Sequence, residues 1–324
     1  MLHRSTIFII FTIALICSAF FLLKRYKRPF KERPHQLNRS FKWEWPFRKF
    51  CDKQNRVLNN IALLNGPFRS DAHRDMFVKL KTTGIIIVGA SHYQEFPEPI
   101  TNPSEDTYHR AHPFDYVNGC DAWLYCQKHP QALGLNMAKS LDMSESDFAS
   151  IPRLLHFLKK TSLQQVYKIP KKYDFVYVIP SDHRPCAEGW QAHCRNWNLA
   201  KKCLPVLCLD LNLKGLLIGR DCRRDLVNLG VQDQITQKHF LEYPKFLLEL
   251  ASSKMLFVPN ESDASPRVIT ESLTLNVPVL LNTNIIGGHK YIRNGVSGCH
   301  FLDERDVDTS AKIALQSTQS NEYF

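Results

Sequence analysis

From residue 173 onward the chain repeats one pattern: a short unbroken apolar run, a turn, then apolar positions at helical spacing. The stretches YDFVYVIP (173–180), LKGLLIGR (213–220), DQITQKHFL (233–241), MLFVPN (255–260) and VPVLLN (277–282) read as strands. Between them, 189–208, 244–254 and 266–276 carry helical stripes, with Pro205 as a late break in the first. Strands apolar on both faces and alternating with helices imply a parallel sheet covered on both sides. Residues 170–310 therefore read as one doubly wound α/β unit, within a C-terminal Rossmann-like domain assigned to 166–324. Upstream, TTGIIIVGASHY (82–93) and DAWLYC (121–126) are further strands, 97–106 is a loop, and the spacing in VLNNIALLN (57–65) predicts a helix. These make a smaller N-terminal α/β domain over 57–165. No internal repeat or low-complexity tract appears.

Two segments precede that domain. Thr6 to Leu23 is an uncharged run of 18 residues, the low end of what crosses a bilayer as a helix. It ends Phe20-Phe21-Leu22-Leu23 without a small-x-small cleavage pattern, so residues 1–23 read as an uncleaved N-terminal transmembrane anchor. Residues 24–56 read as a basic stem. The first 60 residues hold 13 Lys/Arg and 3 Asp/Glu, a balance of +10 within the chain's +11. The remaining 264 residues are close to neutral, so the charge belongs to the juxtamembrane stretch and suits anionic headgroups. A nucleic-acid partner is excluded on the same ground, since its basic patch would sit on the folded domain. Lys24, Arg25, Lys27 and Arg28 follow the run while Arg4 precedes it. The positive-inside rule then favours a cytosolic catalytic domain over a lumenal, Golgi- or ER-type orientation. Of two sequons, Asn38-Arg-Ser40 and Asn260-Glu-Ser262, the second lies where a glycan would obstruct the candidate site, which favours the same side.

Ten cysteines are present, Cys17 within the apolar run, and no Cys-x-x-Cys pair occurs. Buried free thiols are the expected state. His183, Cys186, His193 and Cys194 lie within twelve residues and are all zinc-ligand types. The adjacency of His193 and Cys194 is awkward for two ligands of one tetrahedral ion.

The chemistry concentrates in PNESDASPRVITESLTLNVPVLLNTNIIGG (259–288). In an open parallel sheet, ligands sit beyond the carboxyl ends of the strands. Asp263 follows such an end, Ser265 is an N-cap type, and Pro266 suits a first helical position. The free N–H groups of that helix start, at 265–268, favour a phosphate, and Glu271 reaches past it towards a sugar or ribose. An acidic loop followed by an exposed helical Glu is the bland reading of either carboxylate alone.

Asp263-x7-Glu271, Asn276-Val-Pro-Val279 and Gly287-Gly288 together resemble the C-terminal half of retaining GT-B glycosyltransferases of the family 4 (group 1) type. The resemblance covers about 170–302. It implies a GT-B fold and assigns Asp263 to the donor sugar and Glu271 to the nucleotide ribose. The backbone of 265–268, with Ser265, Pro266 and Arg267, and the Gly287-Gly288 turn would hold the diphosphate or sugar. The first acidic position is usually Glu, Asn276 replaces a usual Gly, and His289 and Lys290 stand where the family's second Gly-rich loop carries a Glu. The family also uses an Arg and a Lys to neutralise the leaving diphosphate. Arg195 and Lys201 have suitable spacing, and Arg220 is a further candidate. A solvated helical face is the alternative for Arg195, Lys201 and Lys202. His92, after a strand, would face the cleft, and Trp123 and Tyr125 would either stack on a sugar or belong to the core.

The resemblance thus implies a membrane-anchored retaining glycosyltransferase, hexosyl- or pentosyl-transferring. Its partners would be a nucleotide-sugar donor and a glycan, glycolipid or glycoprotein acceptor. No metal or other cofactor is expected. A nucleotide-sugar epimerase and a non-catalytic nucleotide- or carbohydrate-binding relative are the alternatives.

Overall fold

The computed structural model describes residues 43–317 except 53, 55, 92–95, 98–107, 109–110, 144–150, 181–183 and 265. The apolar run at 6–23 and most of the basic stretch lie outside the described residues. Among those described, no helix is long and apolar enough to cross a membrane.

Two sheets organise the chain. The first has five strands in the order β1 (Phe47–Cys51), β2 (Val57–Leu64), β3 (Ile86–Ser91), β4 (Ala122–Tyr125) and β5 (Ser140–Asp142). β1 pairs antiparallel with β2, and the rest are parallel. Helix α1 (Asp71–Thr82) buries Phe77 and Leu80 against this sheet. An aromatic cluster of Phe68, Phe77, Phe114 and Tyr116 fills the space beside them, with ring centroids about 5–6 Å apart.

The second sheet has six parallel strands: β6 (Tyr173–Ile179), β7 (Gly215–Gly219), β8 (Ile235–Lys238), β9 (Ser253–Val258), β10 (Val279–Asn282) and β11 (Gly298–Phe301). Their spatial order is β11-β10-β9-β6-β7-β8. The chain builds outward from β6 to β8, then returns to the other side of β6 with β9. That reversal creates a crevice between the C-terminal ends of β6 and β9, the place where doubly wound sheets hold ligands. Both faces are covered by apolar clusters, one around Trp197, Leu204 and Phe257, the other around Leu250, Ile269 and Ile285. Helices α2 (Ile151–Lys160) and α3 (Leu163–Tyr167) contribute Phe157 and Val166 to the second cluster. Their packing thus ties Phe157 and Val166 to the second sheet, on either side of the boundary that the sequence reading set between 165 and 166.

Several expectations are corrected. Residues 57–64 form a strand and not a helix, because β1 and β3 flank them on both sides. β1 itself lies inside the stretch read as stem. Pro205 does not break its segment. Helix α4 (Gly189–Cys194) is followed by α5 (Trp197–Pro205), which runs on into a π-helical turn at Val206–Asp210. Cys186 and Cys222 are joined in a disulfide, so the thiols are not all free.

Candidate active site at the β6/β9 crevice

β9 ends in Pro259-Asn260, and both are held by main-chain or amide contacts. Asn282, at the end of β10, donates its amide to the Pro259 carbonyl at 3.0 Å. Asn260, 3 % exposed, donates its own amide to Asp263 Oδ2 at 3.0 Å. The acidic loop therefore has a defined shape before any ligand arrives. Asp263 also meets the guanidinium of Arg195, which approaches from the β6 side of the crevice. The two side chains are 13 % and 23 % exposed, so the pair is mostly withdrawn from water. Burial pushes the Arg195 pKa below its usual value.

Arg195 is aimed by the elbow between α4 and α5. It caps α4, its N–H donating to the Gln191 carbonyl at 3.0 Å. The next residue, Asn196, takes a left-handed conformation (φ 50°) and caps α5, its side chain accepting from Leu199 N–H. Tyr177 on β6 donates its hydroxyl to the Arg195 carbonyl at 2.9 Å and stacks on Trp197. Trp197 in turn donates to Asp225 at 2.8 Å. A run of hydrogen bonds from the sheet thus fixes where the guanidinium starts.

Helix α8 begins at Arg267, with Pro266 at its N-cap, one position earlier than the expected first helical turn. (The intervening helices are α6, Arg223–Asn228, and α7, Tyr243–Ala251.) Ser265 lies outside the described residues. Arg267 is exposed, and its charge reaches Arg195, Glu271 and Tyr243. Glu271 is half-buried and accepts a 2.8 Å hydrogen bond from the Tyr243 hydroxyl at the start of α7. Burial pushes the Glu271 carboxyl above its ordinary value, opposed by the Tyr243 bond and by Arg267. The Tyr243 hydroxyl is pushed up too, chiefly by burial and then by Glu271. Helix α8 (Arg267–Thr274) is capped by Leu275 and followed by Asn276 with φ 56°, the left-handed position that a Gly would more commonly fill. Val277 N–H returns to the Ser272 carbonyl at 2.9 Å and closes the cap.

The Gly287-Gly288 turn lies directly against this helix start. A Cβ on Gly287 would stand 2.0 Å from the Ala264 carbonyl oxygen. Gly288 has φ +77°, and a Cβ there would meet Ile269 at 2.6 Å and Pro266 at 2.8 Å. Ile286 N–H donates to the Glu261 carbonyl at 3.1 Å. The same turn joins the two sheets. Gln127 forms a β-bridge with Gly287, Lys128 N–H donates to the Ile286 carbonyl at 2.6 Å, and the Cys126 thiol donates to the Ala264 carbonyl at 2.9 Å. Lys128 Nζ reaches the Thr283 carbonyl at 3.0 Å, and Lys290 Nζ pairs with Asp142 at 2.6 Å. The end of β4 is therefore seated on the rim of the crevice.

Asp263, Glu271, Arg195, Pro266, Arg267, Gly287 and Gly288 thus gather around one crevice. Lys201 does not join them: it sits about one turn along α5, and its side chain makes no hydrogen bond or ion pair with any described residue, while neighbouring Lys202 faces Glu304. Arg220 is 2 % exposed, and its Nη1 donates to the carbonyls of Pro185, Cys186 and Glu188 at 2.9, 3.1 and 2.6 Å. It holds the loop at 185–188 in place. His92 and His183 lie outside the described residues. Cys186 is committed to its disulfide, and no group of three metal-ligand side chains occurs among the described residues. Trp123 is buried on Gly89 and Phe96, a core residue, while Tyr125 is half-buried beside Asp142 and Lys290. Sequence reasoning missed Tyr243, Asn196 and Asn260. Only Asn196 left a signal, as a capping residue immediately before an apolar run.

No family model matches the chain, and no curated protein matches it by sequence. Solved structures do. The lipopolysaccharide outer core galactosyltransferase WaaB, in its apo form, matches with a TM-score of 0.52 at 11% identity, over 82% of this chain and 68% of that one. TarM of S. aureus, solved with UDP, matches with a TM-score of 0.50 at 10% identity, over 76% of this chain and 47% of that one. The pneumococcal O-GlcNAc transferase GtfA, with UDP and GlcNAc, gives 0.50 at 12%, over 77% and 48%. The chain spans about two thirds of the first and about half of the other two. Its α/β architecture is the GT-B fold of these glycosyltransferases.

Proposed function

We propose that this chain transfers a sugar from a nucleoside-diphosphate donor to a glycan, glycolipid or glycoprotein acceptor. One observation carries the reading. Arg195, Arg267, Asp263 and the Gly287-Gly288 turn converge on the α8 start at the sheet's reversal point, so positive charge and donor groups face a single crevice. A departing nucleoside diphosphate develops negative charge, and fixed guanidinium groups with free helix N–H groups stabilise it without reorganising. Arg267 takes the second cationic role that Lys201 was expected to fill. No resident metal is then needed. Glu271, steadied by Tyr243, would accept from the ribose. Phe240, 81 % exposed three residues before Tyr243, offers a flat face for the base. Asp263 would hold a hydroxyl of the donor sugar.

With the configuration retained, the acceptor hydroxyl oxygen bonds to the anomeric carbon on the face the phosphate leaves. The anomeric carbon–phosphate oxygen bond breaks, and the hydroxyl proton passes to the departing phosphate oxygen. No enzyme nucleophile enters this sequence. The acceptor side would be the carboxyl ends of the first sheet's strands near Tyr125; the expected role of His92 falls on a residue outside those described. Residues 6–23 would anchor the chain to a membrane, aided by the basic stretch that follows.

The test is binding followed by turnover. The full chain in detergent should be stabilised by one of UDP, GDP or ADP in a thermal-shift titration, and Glu271→Ala should abolish the response. Slow hydrolysis of the matching nucleotide sugar should accompany it. Absence of any nucleotide response would leave a shared fold without the activity.

A further inference from the structure

Cys186 follows β6 and Cys222 follows β7, strands that are hydrogen-bonded neighbours. The segments leaving their C-terminal ends therefore run side by side. The two Cα atoms are 5.1 Å apart, inside the range a disulfide requires, and the residues are bonded. Both are almost fully buried, at 4 % and 2 % exposure. Arg220, at the end of β7, holds the same loop by its three carbonyl contacts. Cys222 N–H is itself tied to Gln237 on β8 at 2.8 Å. Residues 185–188 are thus stapled to the sheet covalently and by a guanidinium. They lead directly into α4, the helix that ends on Arg195. The free cysteines among the described residues are otherwise scattered, and six of those seven are buried, so the pairing is selective.

We infer that the folded part of this chain matures in an oxidising compartment, where the Cys186–Cys222 bond staples the loop that aims Arg195 across the crevice. Disulfides persist in the secretory lumen and outside cells and are rare in the cytosol. The bond forms by exchange. The thiolate of one cysteine attacks a disulfide-bearing oxidant, releasing one of its thiolates. The second cysteine's thiolate attacks the mixed disulfide at the first cysteine's sulfur and expels the oxidant's other thiolate. Two electrons and two protons pass to the oxidant, which leaves as a dithiol. This places the bulk of the chain on the lumenal side of the membrane, against the charge count at 24–28. That count weighs four side chains outside the described residues, whereas the bond lies between two described ones. The sequon at Asn260 requires that the chain fold, burying that amide against Asp263, before a glycan is added.

The compartment is tested without reference to donor binding; the aiming of Arg195 rests on the proposed function. Intact cells making the full chain are treated with membrane-permeant N-ethylmaleimide, then lysed and denatured with N-ethylmaleimide still present so that the buried free thiols are capped too. The sample is then reduced and labelled with maleimide-polyethylene glycol. Two labels per chain should appear only after reduction, and non-reducing peptide mapping should join the peptides bearing Cys186 and Cys222. No label after reduction would overturn the compartment. Purified oxidised chain is then titrated with UDP, GDP and ADP before and after reduction under native conditions. The nucleotide that binds should bind about tenfold more weakly after reduction, the effect of displacing one charged hydrogen bond. Equal affinity in both states would overturn the staple's part in aiming Arg195. Binding in neither state would overturn the proposed donor site and leave the labelling result standing.

Discussion

Consider replacing Arg195 by alanine. Its guanidinium and the Asp263 carboxylate face each other with less than a quarter of either side chain in water. At an effective dielectric near 20, unit charges about 4 Å apart attract by about 4 kcal/mol, and desolvation returns much of that. A net coupling of about 1–3 kcal/mol remains, as expected for contacting residues in one network. Arg195→Ala should therefore lower unfolding free energy by about 2–3 kcal/mol, since a partly buried carboxylate loses its counter-charge. The double variant with Asp263→Ala should cost less than the two single changes added. Urea denaturation of the four proteins closes that cycle. Nucleotide binding separates the two residues further. In the ligand-free state Asp263 competes with a diphosphate for Arg195. Arg195→Ala should weaken UDP, or whichever nucleotide binds, by roughly 10–100-fold, the loss of a charge-assisted hydrogen bond. Asp263→Asn should leave that affinity unchanged or tighter while sugar transfer collapses. Two results would refute this account: unaltered nucleotide affinity in Arg195→Ala, or equal weakening in Asp263→Asn.

Three further outcomes follow from the same geometry. Gly287→Ala would drive a methyl to 2.0 Å from the Ala264 carbonyl, so it should lower stability by about 1–3 kcal/mol and abolish transfer, read by urea titration and assay. Glu271→Gln should stabilise the ligand-free protein at neutral pH while weakening nucleotide binding. The folded carboxyl holds its proton above the unfolded value of 4.5, so wild-type stability falls as pH rises from there through the folded value. The advantage of Gln should grow over that window and stay level above it, visible in denaturation at a series of pH values. Lys201→Ala should change stability by less than about 0.5 kcal/mol and leave nucleotide affinity intact, because no described group depends on it.

The stretch 255–288 was readable because each signal is local: an apolar run, a proline at the helix start, an Asn before the Val-Pro-Val strand, and a glycine pair. The structure adds only that Asn276 takes the left-handed cap and that both glycines are forced by contact. What escaped reading is contact between segments far apart in sequence. Val57, Leu58, Ile61 and Leu64 fall at helical spacing, yet the pairing partners of β2 are Phe47–Cys51 and Ile86–Ser91, and those decide its conformation. β1 itself, FRKFC, is half polar and looks like stem. Arg220, closing a strand, read as a further candidate for the leaving diphosphate, and only the neighbouring loop after β6 shows which carbonyls its guanidinium holds. The Cys186–Cys222 bond spans 36 residues and follows from β6 and β7 being adjacent, a fact absent from any spacing rule. Arg195 and Asp263 were each singled out, but their meeting depends on the strand order that sets β9 beside β6.

Asn260 puts the molecule in a race against its own biosynthesis. In the finished fold its amide is sealed against Asp263. In a nascent chain entering an oxidising lumen, Asn260-Glu-Ser262 is an open acceptor for N-linked glycan. A glycan added there would wedge the acidic loop away from Arg195 and abolish the proposed transfer. Each molecule's fate is then set by whether β9 and β10 close before the glycosylation machinery arrives. Glycan occupancy at Asn260 becomes a recorded stopwatch of folding, and slower-folding variants would carry more of it.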